Sequence, residues 1–365
     1  MKDMSINYSA FPTYIPIDRQ EGLHEVISLS GGRSSADALM QLINGGFGDP
    51  EFHHVVFDNT GKEDETCYKF LSDIEQCTNL KINWLEYTLT NQFTNELIFS
   101  SFSYDKFNRC EYTSIGQILD IKKLRSFKFE KSPNSFWYKQ GFSDRKLNIK
   151  EVDYLTASRN GKPFTDLFLY KCAIRIMKGQ GIILPSVGQR WCTGDGKEKV
   201  TERWLANKGI TEYISYKGMR FDEPDRVDRV MAKNKVQDKI WYDCPLHHTK
   251  TNKIDVLMSW SGQPFDLGLK NDKTNCFYDV IGNCDYCHLK TLLKKMWLVQ
   301  NGFDIRYWKQ IELIANNYNG DVDAMSRQHG TYEQIEKKAL EIEPISLSQI
   351  LSDAEVQISC TNCTD

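Results

Sequence analysis

Three groups of residues in this chain have the types and spacing to do chemistry. The first is Ser30-Gly31-Gly32-Arg33-Ser34-Ser35, set between an apolar run (Val26, Ile27, Leu29) and a helical pattern from Ala36 to Asn44. A strand, two glycines, hydroxyls and a helix N-terminus make an anion cradle. The glycines let backbone N–H groups approach a phosphate, the hydroxyls donate further bonds, and the helix dipole adds partial positive charge. The other reading is a tight strand-to-helix connection. The second set is cationic and comes from separate segments that spacing alone does not join: Arg159, Arg190, Lys197 and Arg220, of which Arg190 and Arg220 are best suited to grip an anion in a bidentate fork. For Arg220 the alternative is an ion pair with Asp222, Glu223 or Asp225.

The third group is sulfur. Cys284 and Cys287 form C-x-x-C, Cys360 and Cys363 form a second pair, Cys276 lies just upstream, and Cys192 follows Arg190-Trp191. C-x-x-C fits zinc, a redox dithiol or an iron–sulfur cluster. Two such pairs with further thiols favour metal or cluster ligation over a redox dithiol. The chain has eleven cysteines, an odd number, in what reads as a cytosolic protein, so a disulfide framework is not expected. Cys67, Cys77, Cys110 and Cys172 stand alone and are expected to be small buried hydrophobes. His247-His248 reads as a surface or core feature, and no Ser–His–Asp, carboxylate-pair or HExxH pattern stands out.

Elements that position these groups follow from periodicity. Val26–Leu29, His54–Phe57 and Ile82–Tyr87 read as strands, separated by helical patterns over 36–44 and 63–77. Strand and helix alternate, which predicts a doubly wound, mainly parallel α/β sheet whose ligands lie beyond the carboxyl ends of the strands. Ser30–Ser35 and Asp58-Asn59-Thr60 fall there. Asp58, Asn59 and Thr60 can bond an adenine edge or ribose; alternatively, Thr60 or Asp64 caps the following helix. Further along, Leu167–Met177 and Lys197–Leu205 look helical, Tyr213–Tyr216 is a strand delivering Gly218-Met219-Arg220, and Ile254–Trp260 is a short helix. The expected organisation is an N-terminal arm (1–22), a nucleotide-binding α/β domain (23–265) with an insertion at about 98–150, and a cysteine-rich, mainly helical region (266–365). The insertion is basic and aromatic (Lys122–Phe129, Phe136–Lys139). Such a mixture suits single-stranded nucleic acid, or an ordinary surface insertion whose aromatics pack on the sheet.

Composition bounds the class. The 365 residues are 26% charged and 40% hydrophobic, with a net charge of −3, so there is no global polycation that would announce nucleic-acid binding. No apolar run approaches the ~20 residues of a membrane span, and residues 1–5 lack a signal-peptide core. A cytoplasmic location is expected.

Segment by segment, the chain resembles the PP-loop ATP pyrophosphatase and phosphoadenosine-phosphosulfate (PAPS) reductase superfamily, and within it the PAPS-reductase-like proteins of phages and mobile elements. The resemblance is carried by Ser30–Ser35, Phe57–Glu63, Thr156–Phe164, Arg190-Trp191-Cys192-Thr193-Gly194 with Lys197, Gly218-Met219-Arg220 with Glu223-Pro224, and Gln263–Leu267 leading to Gly282–Cys287. These occur in the family's order over roughly residues 23–291. The resemblance implies a Rossmann-like fold and a phosphate or sulfate loop at Ser30–Ser35. It also brings Arg159, Arg190, Lys197 and Arg220 to one cleft. Several members hold a [4Fe–4S] cluster near the nucleotide. Here that implies Cys192, Cys284 and Cys287 as ligands, with Cys363 first and Cys276 or Cys360 next as the fourth, and zinc as the alternative. One departure matters. ATP-cleaving members carry an acid where this chain has Ser34, which leaves Mg²⁺ on the phosphates optional, and Asp37 is a weak substitute.

The first expectation is therefore a PAPS-reductase-like oxidoreductase or sulfurtransferase that binds PAPS, APS or ATP and works with a sulfur- or electron-donor protein. The second is a nucleic-acid-modifying sulfurtransferase of the DNA phosphorothioation or tRNA thiolation type. The third is a nucleotide-binding or sensor protein without catalysis.

Overall fold

The computed structural model describes residues 5–16, 22–126, 148–186, 188–235, 239–267, 284–346 and 349–350. The chain enters through an arm whose 3-10 turn (Tyr8–Ala10) and buried Phe11 and Tyr14 pack against the body; Phe11 meets Trp260 edge-on. Alternation then begins: β1 (His24–Leu29), α1 (Arg33–Asn44), β2 (His53–Asn59), α2 (Glu65–Thr78) and β3 (Ile82–Thr88). Short helices α3 (Asn91–Leu97), α4 (Tyr104–Asn108) and α5 (Ile121–Ser126) follow, then β4 (Asn148–Val152) and α6 (Lys162–Met177). A single turn α7 (Trp191–Thr193) runs through a π-helical turn (Gly194–Glu198) into α8 (Lys199–Asn207). Next come β5 (Tyr213–Tyr216), α9 (Pro224–Met231), β6 (Ile240–Asp243), α10 (Pro245–His248) and α11 (Lys253–Ser261). Helices α12 (Leu292–Gln300), α13 (Arg306–Asn319) and α14 (Tyr332–Glu341) complete the described chain.

The sheet has six strands in the order β4-β3-β2-β1-β5-β6, all parallel except β4, which runs antiparallel to β3. This is an α/β, Rossmann-like arrangement. The central strands are apolar because both faces are covered: Val26, Ile27, Val55, Val56 and Phe57 are all within 2% of full burial. Helix α6 packs on β3 and α8 on β2 and β3, while α1 packs on β1, α10 and α11. Strand order reverses between β1, followed by β2 on one side, and β5 on the other. That switch point is where open α/β sheets leave a crevice.

The pattern reading gains two strands it did not contain. β4 closes the 98–150 segment as an exposed edge, and its Asn148–Val152 alternation is too polar to stand out. β6 is four residues long and carries only one buried side chain. The described part of that segment behaves as an ordinary insertion, with Phe102, Phe107 and Tyr112 clustered and Phe107 against Tyr307. Residues 127–147, with most of its basic and aromatic run, lie outside the described residues. One hydrophobic core runs from Ile6 to Ile350, so α12–α14 share packing with the sheet domain.

Candidate functional site

At the switch point, β1 delivers Ser30 and β5 delivers Lys217; Ile27 pairs with Tyr216, so the two segments leave the sheet side by side. The Ser30–Ser35 loop is held by its own hydroxyls. Ser35 Oγ accepts from Ser30 N (3.1 Å) and donates to Gly32 O (3.0 Å), and Ser30 Oγ accepts from Gly32 N (3.3 Å). Gly31 has φ +83°, a left-handed turn open to glycine, and a Cβ there would press on Cys67 Cβ at 3.1 Å. Gly32 is the N-cap of α1, and no side chain caps that helix. The uncapped end of a 12-residue helix is suited to an anion.

Gly218 is packed directly on this loop. A Cβ on it would stand 2.6 Å from Ser35 Cα and 3.0 Å from Ser34 O. The close approach lets Arg220 reach back and donate from Nη1 to Ser34 Oγ at 3.1 Å. Arg220 also pairs with Asp222 (3.0 Å) and Glu223 (3.4 Å), the ion pairs that the sequence offered as its alternative use. Arg33 of the loop is tied by a bidentate pair to Asp266, both contacts 2.7 Å. Asp37 lies away from this crevice. It is fully buried, with Gln41 donating to its Oδ1 at 2.8 Å, and burial pushes its carboxyl up to about 7. It is therefore no source of a metal-binding carboxylate at the loop.

The end of β2 is organised differently. Asn59 donates to Glu86 Oε1 (2.7 Å) and Ser158 O (3.0 Å), and its Oδ1 accepts from Gly61 N (2.9 Å) and Tyr68 Oη (2.8 Å). Thr60 donates to Glu63 at 2.8 Å. The α2 cap is Asp64, which accepts from Thr66 N, rather than Thr60. Glu63 bridges antiparallel to Cys284, and Thr60 Oγ1 lies 3.3 Å from Cys284 Sγ. The cysteine segment is further pinned to this loop by Asp285 N donating to Lys62 O (2.8 Å) and by the Lys62–Asp285 ion pair (3.0 Å).

Asp58, the residue before Asn59, is buried near the carboxyl end of β2. The Thr201 hydroxyl lies 2.9 and 3.0 Å from its two carboxyl oxygens. Burial pushes the Asp58 carboxyl up to about 7, against the pull of Thr201, Lys197 and Lys217. Lys197 approaches Glu63 at 3.9 Å, and burial lowers the Lys217 ammonium. Burial, then the positive charges of Lys295 and Arg190, push the His288 imidazole down to about 3. Arg159 is on the β2–α2 side: it pairs with Glu65 at 2.7 Å and lies over the rings of Tyr68 and Tyr154. Arg220 thus stands on the Ser30–Ser35 loop, Lys197 beside Glu63 and Arg159 beside Glu65.

Cys284 and Cys287 share a turn in which Cys287 N donates to Cys284 O at 3.2 Å. Burial first, then Glu63, pushes the Cys284 thiol well above its ordinary value, with Lys197 working against them. A thiolate there needs added positive charge. Among the described residues no three His, Cys, Asp or Glu side chains are grouped to hold a metal ion. Cys276, Cys360 and Cys363 lie outside the described residues. None of the eight described cysteines is in a disulfide. Cys67 and Cys172 are buried, whereas Cys77 and Cys110 are only half-buried, which corrects the expectation for those two. Cys67 is also less isolated than its sequence position suggests, because it packs under Gly31. His248 pairs with Asp243 at 2.9 Å and stacks on Tyr14, a structural use.

Lys217, Glu63, Thr201 and Glu86 are site residues that sequence reasoning missed. Lys217 alone carried a signal, its place between a strand and Gly218. No family model, no curated protein and no solved structure matches this chain. No helix among the described residues is long and apolar enough to cross a membrane.

Proposed function

We propose that the chain is a PAPS-reductase-like enzyme of sulfur chemistry that binds an adenine nucleotide (PAPS, APS or ATP) at the β1–β5 switch point. The observation that carries this reading is the packing of Gly218 and Arg220 onto Ser34–Ser35. An uncapped helix N-terminus, two serine hydroxyls and a guanidinium then address one anion. Arg190, Lys197 and Arg220 are the residues proposed to act on the anionic end, and Asp58, Asn59, Thr60 and Arg159 to border the nucleoside. With its carboxyl near neutrality, Asp58 is suited to hold or release a proton beside Lys197 and Lys217.

The same reading includes a [4Fe–4S] cluster, with zinc as the alternative, on Cys192, Cys284, Cys287 and Cys363. Such a group would supply electron transfer or sulfur handling beside the nucleotide. The described residues supply two of its thiols in one turn, so the mechanism here rests on the chain's own groups. Lys197 and Arg220 neutralise the anion, and Thr60 and Glu63 hold Cys284 close to Lys197. Incubation with PAPS and a thiol donor, with sulfite as the readout, tests the function. Anaerobic purification with iron, sulfide and zinc analysis tests the metal. Sulfite release and iron with labile sulfide are expected. Tight nucleotide binding without turnover would favour the sensor reading.

A further inference from the structure

A cavity of about 290 Å³ opens between α6 and the Trp191–Arg203 segment, and no residue of the β1, β2 or β5 loops lines it. Its charge is one-sided. Lys171, Arg175, Lys178, Lys199 and Arg203 face a single carboxylate, Asp195. Asp195 pairs with both Lys171 and Lys199, the latter at 2.6 Å. Burial works to raise Asp195, but the two lysines hold it below the usual carboxylate range. Arg175 uses Nε to hold Gly181 O at 2.8 Å, and Arg203 carries a buried Nη1 with no hydrogen-bond partner among the described residues. A buried guanidinium N–H without an acceptor is costly, and an oxyanion would supply the acceptor.

The cavity is also built on an unusual backbone. Asp195 belongs to the π-helical turn Gly194–Glu198, whose next basic residue, Lys197, turns the other way toward Glu63. π-helical turns inside helices are often functional. The turn therefore presents one lysine to the strand-end crevice and, with the start of α8, a second lysine to this cavity.

We infer that this cavity is a second anion site, separate from the Ser30–Ser35 loop, and that it takes the phosphate of a small phosphorylated ligand. A volume of about 290 Å³ suits a compact anion better than an extended polymer. The phosphate can come from a free metabolite or from a nucleic-acid end, and the test separates the two. Sodium pyrophosphate is titrated calorimetrically at low ionic strength into wild type, Arg220→Ala and Arg203→Gln, with circular dichroism to verify folding. Pyrophosphate is expected to bind Arg220→Ala, whose loop is impaired, and to bind Arg203→Gln about tenfold more weakly at this site. Should Arg203→Gln fail to fold, Lys178→Gln at the cavity edge is expected to weaken binding several-fold. Absence of pyrophosphate binding to folded Arg220→Ala would overturn the proposal, as would unchanged affinity when Arg203→Gln or Lys178→Gln is added to Arg220→Ala. Binding of a 5′-phosphorylated oligonucleotide through Arg203, with none of pyrophosphate, would overturn the small-ligand assignment.

Discussion

The loops after β1 and β2 leave the same edge of the same sheet, yet they use their polar residues in opposite ways. After β1, Ser30–Ser35 meets Gly218 and Arg220 across the switch point, and the cation nearest the hydroxyls comes from another strand. After β2, Asn59 makes four hydrogen bonds within the protein, and Thr60 and Glu63 hold Cys284. One loop meets a guanidinium across the switch point, and it is the loop proposed to take an anion. The other is a joint that fastens the 156–164 segment and the helical C-terminal region to the sheet. Being at a strand's carboxyl end therefore does not by itself make a residue a ligand contact; what its side chain already bonds decides.

Variants at the joint should cost stability first, and variants at the switch point should cost binding first. The largest effect is expected for Asn59→Ala, which takes the acceptor from Gly61 N and removes one bond each from Glu86, Ser158 O and Tyr68 Oη in a buried place. Loss of stability on the order of 3 kcal/mol should appear in urea unfolding. A stable Asn59→Ala with lost nucleotide affinity would reverse the assignment of the two loops. Next is Arg220→Ala, expected to weaken nucleotide binding by about 1.5–3 kcal/mol with a smaller change in stability. Arg220→Lys should restore part of that, because the charge returns without the fork. Gly218→Ala places a Cβ against the Ser35 backbone, which cannot yield cheaply, and should cost about 1–3 kcal/mol shared between folding and binding.

The smallest effect sharpens the comparison through pH. Asp58 is raised from an ordinary value of about 3.9 to about 7, so the native state keeps a proton that the unfolded chain has already released. Stability should therefore fall as pH rises from about 4 to about 7. Asp37 and Glu312 are raised in the same direction by burial, so Asp58→Asn should make that slope shallower rather than flat. Ionised Asp58 also puts negative charge beside Lys197 and Lys217. Anion affinity should then drop across pH 7 in wild type and less so in Asp58→Asn. Equal pH profiles would remove Asp58 from the site.

Much of the frame was readable from residues alone. The apolar runs at 26–29, 54–57 and 82–87 and the glycines at 31 and 32 are strong local signals, because buried parallel strands and a strand-to-helix turn constrain each residue. β4 and β6 were not readable: one is a polar edge and the other too short to show a period. At the site, Arg220 was legible through Gly218-Met219-Arg220 but its contact with Ser34 was not, since that depends on a crossover between distant strands. Asn59 was legible as polar and placed at a strand end, but nothing in its neighbours along the chain announces Glu86 and Ser158. Lys217 and Thr201 were missed for the same reason: their partner Asp58 is more than a hundred residues away.

The central claim is that an adenine nucleotide binds at the switch point between β1 and β5. Calorimetric titration of ATP and PAPS into the full chain tests it most directly, with Arg220→Ala and Arg203→Gln in parallel. One equivalent of at least one nucleotide is expected to bind wild type through the β1–β5 crevice, weakened in Arg220→Ala and retained there in Arg203→Gln. No binding of either nucleotide to folded wild type, or binding indifferent to Arg220, would contradict the account.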